Sequence, residues 1–232
     1  MNSRRRAPVA LLLACALLGG CASAPPRDSD DICAIFRDNR DWYEAAADAQ
    51  RRWGAPIPVP MAILYQESGY RAKARPPMRW FLGFIPLGRG SSAYGFSQAK
   101  TPTWNDYQRE SGNGWSDRDD FGDAMDFVQW YIDKSYRLNG VAKHDALRQY
   151  LNYHEGWSGY RRGSYRGNDG LLAVAHRVEQ RAQRYSAQLP QCREELDRGW
   201  LRRLFSGRAT PAAAPLVSAA DPASAGQSRT QQ

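Results

Sequence analysis

The chain has 232 residues, 12% of them aromatic, and a formal charge of +8. The basic excess suits an acidic partner, but lysine and arginine are spread along the chain rather than massed in one stripe, which argues against a nucleic-acid binder. One domain of ordinary size is expected, flanked by segments of different composition.

The first of these is residues 1–20, which read as an export signal: Arg4, Arg5 and Arg6 precede a short apolar stretch from Val9 to Leu18, too short to span a membrane. Leu17-Leu18-Gly19-Gly20-Cys21 resembles the bacterial lipobox, so the mature chain is expected to begin at an acylated Cys21. An ordinary secretory signal with an incidental cysteine is the plainer alternative. Ala22 and Ser23, rather than an aspartate, follow the cysteine, which favours the outer membrane over the inner and a periplasmic orientation. Export itself weighs against nucleic acid. Loss of the three signal arginines, with no acid among residues 1–20, lowers the charge from +8 to +5. Cys15 leaves with the signal, so Cys33 and Cys192 are the two remaining thiols in an oxidising compartment, and one disulfide is expected.

Residues 21–32, rich in Ser, Pro, Ala and Asp, are expected to form a disordered lipidated tether to a domain over 33–195. Helical spacing marks Trp42 to Trp53, and Pro56, Pro58 and Pro60 then interrupt, with Pro60 suited to the first turn of a helix reaching Tyr70. The apolar run Trp80 to Leu87 reads as a hairpin or loop packed on the domain, with a lid, a partner contact or a membrane-touching loop as alternatives. An acid-rich first turn at Asp119, Asp120 and Asp123 opens a helix with Ala124, Val128, Tyr131, Ile132 and Ser135 on one face. Leu147, Tyr150, Leu151 and His154 mark the next, with Gly156 as its expected stop. The last runs from Leu171 to Leu189, where Pro190 is expected to end it. Residues 196–232, basic and then rich in Ala, Pro and Ser, are expected to be mostly disordered. No set of alternating strands is evident, and the fold class is therefore mainly α.

Glu67 lies four residues after Ile63 and three after Leu64, on a largely apolar helix. A carboxyl held among apolar groups has a raised pKa and can serve as a general acid near neutral pH. This segment alone leaves an exposed, charged helix end equally open. Four blocks, taken in order, resemble the soluble lytic transglycosylase and goose-type lysozyme superfamily across nearly the whole domain. Glu67-Ser68 matches its catalytic Glu-Ser pair, and Tyr94-Gly95-Phe96-Ser97-Gln98 with Thr101-Pro102-Thr103 matches Gly-Leu-Met-Gln followed by Pro-x-Thr. Tyr153-His154-Glu155-Gly156 matches Tyr-Asn-Ala-Gly, and the helix around Val178 matches the closing helix.

The resemblance implies a lysozyme-like single domain with a glycan-binding groove, and peptidoglycan glycan strands as partner. Glu67 would protonate the bridging oxygen between N-acetylmuramic acid and N-acetylglucosamine. It would then accept the proton of the muramic 6-hydroxyl, which attacks to leave a 1,6-anhydro end, with the substrate's acetamido group in place of a second carboxylate. Gln98 would meet that acetamido group, and Tyr153 would donate its hydroxyl toward Glu67. Ser68 would orient the carboxylate or sugar, with helix-end capping equally open. Tyr94 and Trp157 join the expected substrate-binding set, and Trp104 is a further stacking candidate. The sequence departs from the family at His154 for asparagine, Glu155 for alanine and Val174 for tyrosine. Glu155 therefore offers a possible base for water, which would make the protein a goose-type hydrolase. A silent peptidoglycan-binding lipoprotein of an envelope assembly is the alternative from another class, its protein partner unknown. His144, His154 and His176 lie far apart and no phosphate loop or flanked nucleophilic serine occurs, so neither metal nor cofactor is expected.

Overall fold

The computed structural model describes residues 24–82 and 85–206. Its elements are α1 (Ile32–Asp38), α2 (Arg40–Trp53), α3 (Pro58–Ser68), β1 (Met78–Phe81), β2 (Ile85–Arg89), α4 (Thr101–Ser111), α5 (Phe121–Asn139), α6 (Ala146–Arg162) and α7 (Asp169–Ser206). Three helices begin on aspartate caps that satisfy an otherwise unpaired N–H: Asp31 for Cys33, Asp120 for Asp123 and Asp145 for Arg148. The fold is mainly α, with one antiparallel hairpin pairing Met78 with Arg89 and Phe81 with Ile85. A central cluster of strands is absent among the described residues, and three of the other helices pack on α3.

α3 is the hub because it has no polar face until its last turn. Met61, Ala62, Ile63 and Leu64 are all fully buried, and a helix apolar all round can only sit inside the molecule. It packs on α5, α6 and α7. Pro58 and Pro60 fall in its first turn, where the missing N–H groups have no intrahelical partner to lose. A second cluster joins α2 to α5: the Trp42 and Phe121 rings stack at 3.9 Å, and Phe96 meets both edge-on.

Four expectations about boundaries are corrected. α7 does not stop at Pro190 but continues to Ser206, because Leu189, Cys192 and Leu196 all face the core and hold the helix through the proline's lost hydrogen bond. The boundary expected at residue 195 therefore falls inside a helix, and Asp197 accepts a hydrogen bond from Tyr43. Gly156 does not end α6; it sits within it at φ 73° and ψ 159°, a conformation essentially reserved for glycine, and bends the element so that it resumes to Arg162. Residues 29–31 of the expected free tether are docked on α7: Arg181 and Tyr185 donate to the Ser29 carbonyl and Gln188 to that of Asp30. The expected signal over 1–20, Cys21 and residues 207–232 lie outside the described residues.

Cys33 of α1 and Cys192 of α7 are joined by a disulfide spanning 159 residues of sequence. Closing so long a loop removes much of the unfolded chain's freedom, in the chain-entropy account about 5 kcal/mol. The Cys33→Ser, Cys192→Ser double variant is expected to unfold at a lower urea concentration by an amount equivalent to roughly 2–5 kcal/mol, with a steeper slope because the unfolded chain is then free to expand.

Candidate active site

Glu67 stands in the last turn of α3, where the buried hub reaches a groove of about 440 Å³. The groove wall is assembled from four other places: the loop from Ala93 to Lys100, Thr103 of α4, Phe127 and Tyr131 of α5, and Tyr153 to Gly156 of α6. Glu67 keeps some surface on the groove, but its carboxyl is crowded on the remaining sides by protein. That loss of water raises its pKa from 4.5 to about 7, against the smaller lowering effect of a hydrogen bond with Tyr150. The helix dipole acts in the same sense, since a carboxylate near a helix C-terminus meets partial negative charge.

The expected partner tyrosine is corrected. Tyr153 lies in the groove, and burial, then the charge of Glu67, push its pKa up. Its hydroxyl proton, however, is donated to the Ser97 carbonyl at 2.5 Å. The group that hydrogen-bonds Glu67 is Tyr150, one turn earlier on the same face of α6. Sequence reasoning placed Tyr150 on the apolar face of its helix without assigning it a role. Its three-residue spacing from Tyr153 is the signal that links them.

Gln98 lies in the groove with its backbone in the left-handed region at φ 50°. Such a conformation costs a non-glycine residue on the order of 1 kcal/mol, and the side chain offsets it by donating to the carbonyls of Ala74 and Gly95, both at 2.9 Å. The amide nitrogen is thereby occupied, so Gln98 presents its oxygen to the groove, an acceptor suited to an amide N–H. Gly95 is required here: at φ 80° a Cβ would fall 1.9 Å from the Arg118 carbonyl oxygen.

Three other expected substrate contacts are displaced from the groove. Ser68 is buried and its hydroxyl donates to the Leu64 carbonyl at 3.2 Å, so it serves the helix end. Tyr94 lies under the Arg75 guanidinium, 4.3 Å from its ring centre, and donates to Asp119 at 2.9 Å. It therefore braces the groove loop from outside. Trp157 stacks on Tyr131 at 4.4 Å and donates its indole N–H to Ser135 at 3.1 Å. It backs the wall that Tyr131 presents. Trp104 is a core residue between Tyr107 and Phe127.

Glu155 is the second carboxylate of the groove wall. One oxygen accepts from Ser164 and the other faces His154 Nδ1 at 3.0 Å. These hydrogen bonds, Ser164 first, hold its carboxyl below the usual range, so it is ionised where Glu67 is poised to carry a proton. Among the described residues no cluster of His, Cys, Asp and Glu is arranged to hold a metal ion.

A raised carboxyl at the end of a buried helix, facing a groove with an amide acceptor, is an arrangement that can hold and release a proton near neutral pH. Comparison with family models decides the relationship: the transglycosylase SLT domain matches residues 9–192. The chain belongs to the transglycosylase SLT domain family. Membership links it to peptidoglycan and to transglycosylase-type chemistry. No curated protein and no solved structure matches the chain.

The raised pKa makes two predictions. Glu67 is protonated in both folded and unfolded chains below pH 4.5. As pH rises from 4.5 to about 7 the unfolded chain ionises first, so folding loses up to about 3 kcal/mol and then levels off. Glu67→Gln, which stays neutral, is therefore expected to melt higher than the parent at pH 8 and level with it at pH 4. Tyr150→Phe removes the bond that lowers Glu67, so the alkaline limb of the pH–activity profile, where the acid loses its proton, is expected to move to higher pH.

Proposed function

We propose that the protein is a peptidoglycan lytic transglycosylase that cleaves the β-1,4 bond between N-acetylmuramic acid and N-acetylglucosamine and leaves 1,6-anhydromuramic ends. The observation that carries this reading is a single carboxyl with a pKa near 7 facing a groove whose one other carboxylate has both oxygens engaged. Protonated, Glu67 delivers its proton to the glycosidic oxygen as that bond breaks. Ionised, it accepts the proton of the muramic 6-hydroxyl as its oxygen bonds to the anomeric carbon. A pKa close to ambient pH suits a group that must hold and release a proton in one cycle. Gln98 accepts the acetamido N–H and leaves the acetamido oxygen oriented for the anomeric centre. Tyr153, tied to the loop at Ser97, and Tyr131 set the wall.

A goose-type hydrolysis is the second reading, favoured by the placement of ionised Glu155 in the same groove. Its bonds to Ser164 and His154 suit a brace across the bend at Gly156 better than a base that must release toward water. Export by the residue 1–20 signal, acylation of Cys21 and attachment to the periplasmic face of the outer membrane belong to the same proposal and rest on the lipobox resemblance of Leu17 to Cys21.

Purified sacculi digested by the enzyme, with products separated by mass spectrometry, test the reaction. Anhydromuramic ends are expected from the parent and at least a 1,000-fold loss from Glu67→Gln, which should still bind sacculi. Reducing muramic ends without anhydro ends would establish the hydrolase.

A further inference from the structure

The hairpin takes no part in the groove. Among the described elements β1 and β2 contact each other and no helix, and at its base Arg89 meets the loop that leads into β1. Its strands, Met-Arg-Trp-Phe and Ile-Pro-Leu-Gly-Arg, are apolar for most of their length. At the turn Leu82 is 70% exposed, and Met78 is exposed at the base. Leu82 and Met78 thus offer apolar surface on an element that packs on no described helix.

At the foot of the hairpin lies a pocket of about 520 Å³ lined by Pro25, Arg71, Lys73, Arg75 and Arg89. All four basic side chains are exposed. Arg71 donates to the Ser68 carbonyl, Arg75 stacks on Tyr94 and Arg89 donates to the Pro76 carbonyl. None forms an ion pair with a carboxylate among the described residues, although fourteen such pairs exist elsewhere. The charge of this patch is left for an external anion.

Pro25 connects the patch to the chain's N-terminal side. Cys21 is four residues earlier, so at most roughly 14 Å of extended backbone separates the two positions. We propose that this basic pocket and exposed Leu82 form a docking face for an anionic phospholipid leaflet, with the arginines and Lys73 on the headgroups and Leu82 entering the acyl boundary. The proposal rests on the anchored reading of Cys21, which would deliver the chain to such a leaflet with this face toward it. The lipid on Cys21 would hold the chain at the leaflet, and each cation of the patch would orient it through the negative surface potential. Contact is peripheral, since among the described residues no helix is long and apolar enough to cross a bilayer. The docked face adjoins the groove through Ala74, whose carbonyl holds Gln98. The enzyme would thereby present its groove beside the membrane, toward the nearest glycan strands.

The chain from Ala22 to Gln232, which keeps every described residue and lacks the signal and Cys21, is the test material. It is expected to co-sediment with vesicles of phosphatidylethanolamine and phosphatidylglycerol, to release as salt is raised, and to leave phosphatidylcholine vesicles unbound. The Lys73→Glu, Arg89→Glu double variant and, separately, Leu82→Asp are expected to weaken vesicle binding at least about tenfold, with melting temperature and sacculus cleavage unchanged. Absence of vesicle binding by the parent, or equal binding by both variants, overturns the docking face. So does a loss of sacculus binding in the double variant with vesicle binding intact, which would assign the patch to the carboxylates of wall peptides. Incorporation of labelled palmitate at Cys21 in the full chain is read independently. An acylated chain whose mature form ignores vesicles rejects the docking face alone, whereas salt-sensitive vesicle binding without acylation supports the face and rejects the anchor.

Discussion

The desolvation of one carboxyl group governs the arrangement of this protein. Glu67 can act as an acid near neutral pH only because α3 delivers it from a helix whose preceding turn is wholly buried. The same burial makes its ionised form costly to the fold, so stability disfavours the carboxylate once pH passes the raised pKa. The surrounding helices carry this cost: α5, α6 and α7 all contact α3, and the disulfide from α1 to α7 limits the freedom of the unfolded chain around them.

The groove is held by a network in which few polar groups are left to chance. The Ala74 carbonyl accepts from the Gly95 N–H and from the Gln98 amide, while the Ser97 carbonyl takes the Tyr153 proton. The loop from Ala93 to Lys100 is thus fastened to the strand-side segment at one end and to α6 at the other. Because the nitrogen of Gln98 is consumed inside this network, only the oxygen of its amide is left for the groove. Glu155, Ser164 and His154 make a similar brace at the bend in α6. The departures from the family's Tyr-Asn-Ala-Gly block thus fall on residues that bond to one another.

Much of this was readable along the chain. The helical spacing of Leu171, Val178 and Tyr185, and the apolar run ending in Glu67-Ser68-Gly69, identified a mainly α domain and singled out Glu67, a carboxyl that the fold brings into the groove. Errors arose where a local signal was outweighed by distant partners. Pro190 carries a strong stop signal, yet the burial of Cys192 and Leu196 keeps α7 helical beyond it. Residues 29–31 look like a linker because they are small and polar, and they are ordered by Arg181 and Gln188, more than 150 positions away.

Residue types and their periods determined the helices, the catalytic candidate and the family, because burial of an apolar face and the order of short blocks are properties of the chain itself. They did not determine where side-chain protons go. Tyr150 and Tyr153 are the same chemical group three residues apart, and both face the site. That one bonds Glu67 and the other a loop carbonyl was decided only when α3, α6 and the Gln98 loop were brought together. A hydrogen bond depends on positions a fraction of an ångström apart in space, and tertiary packing alone sets those.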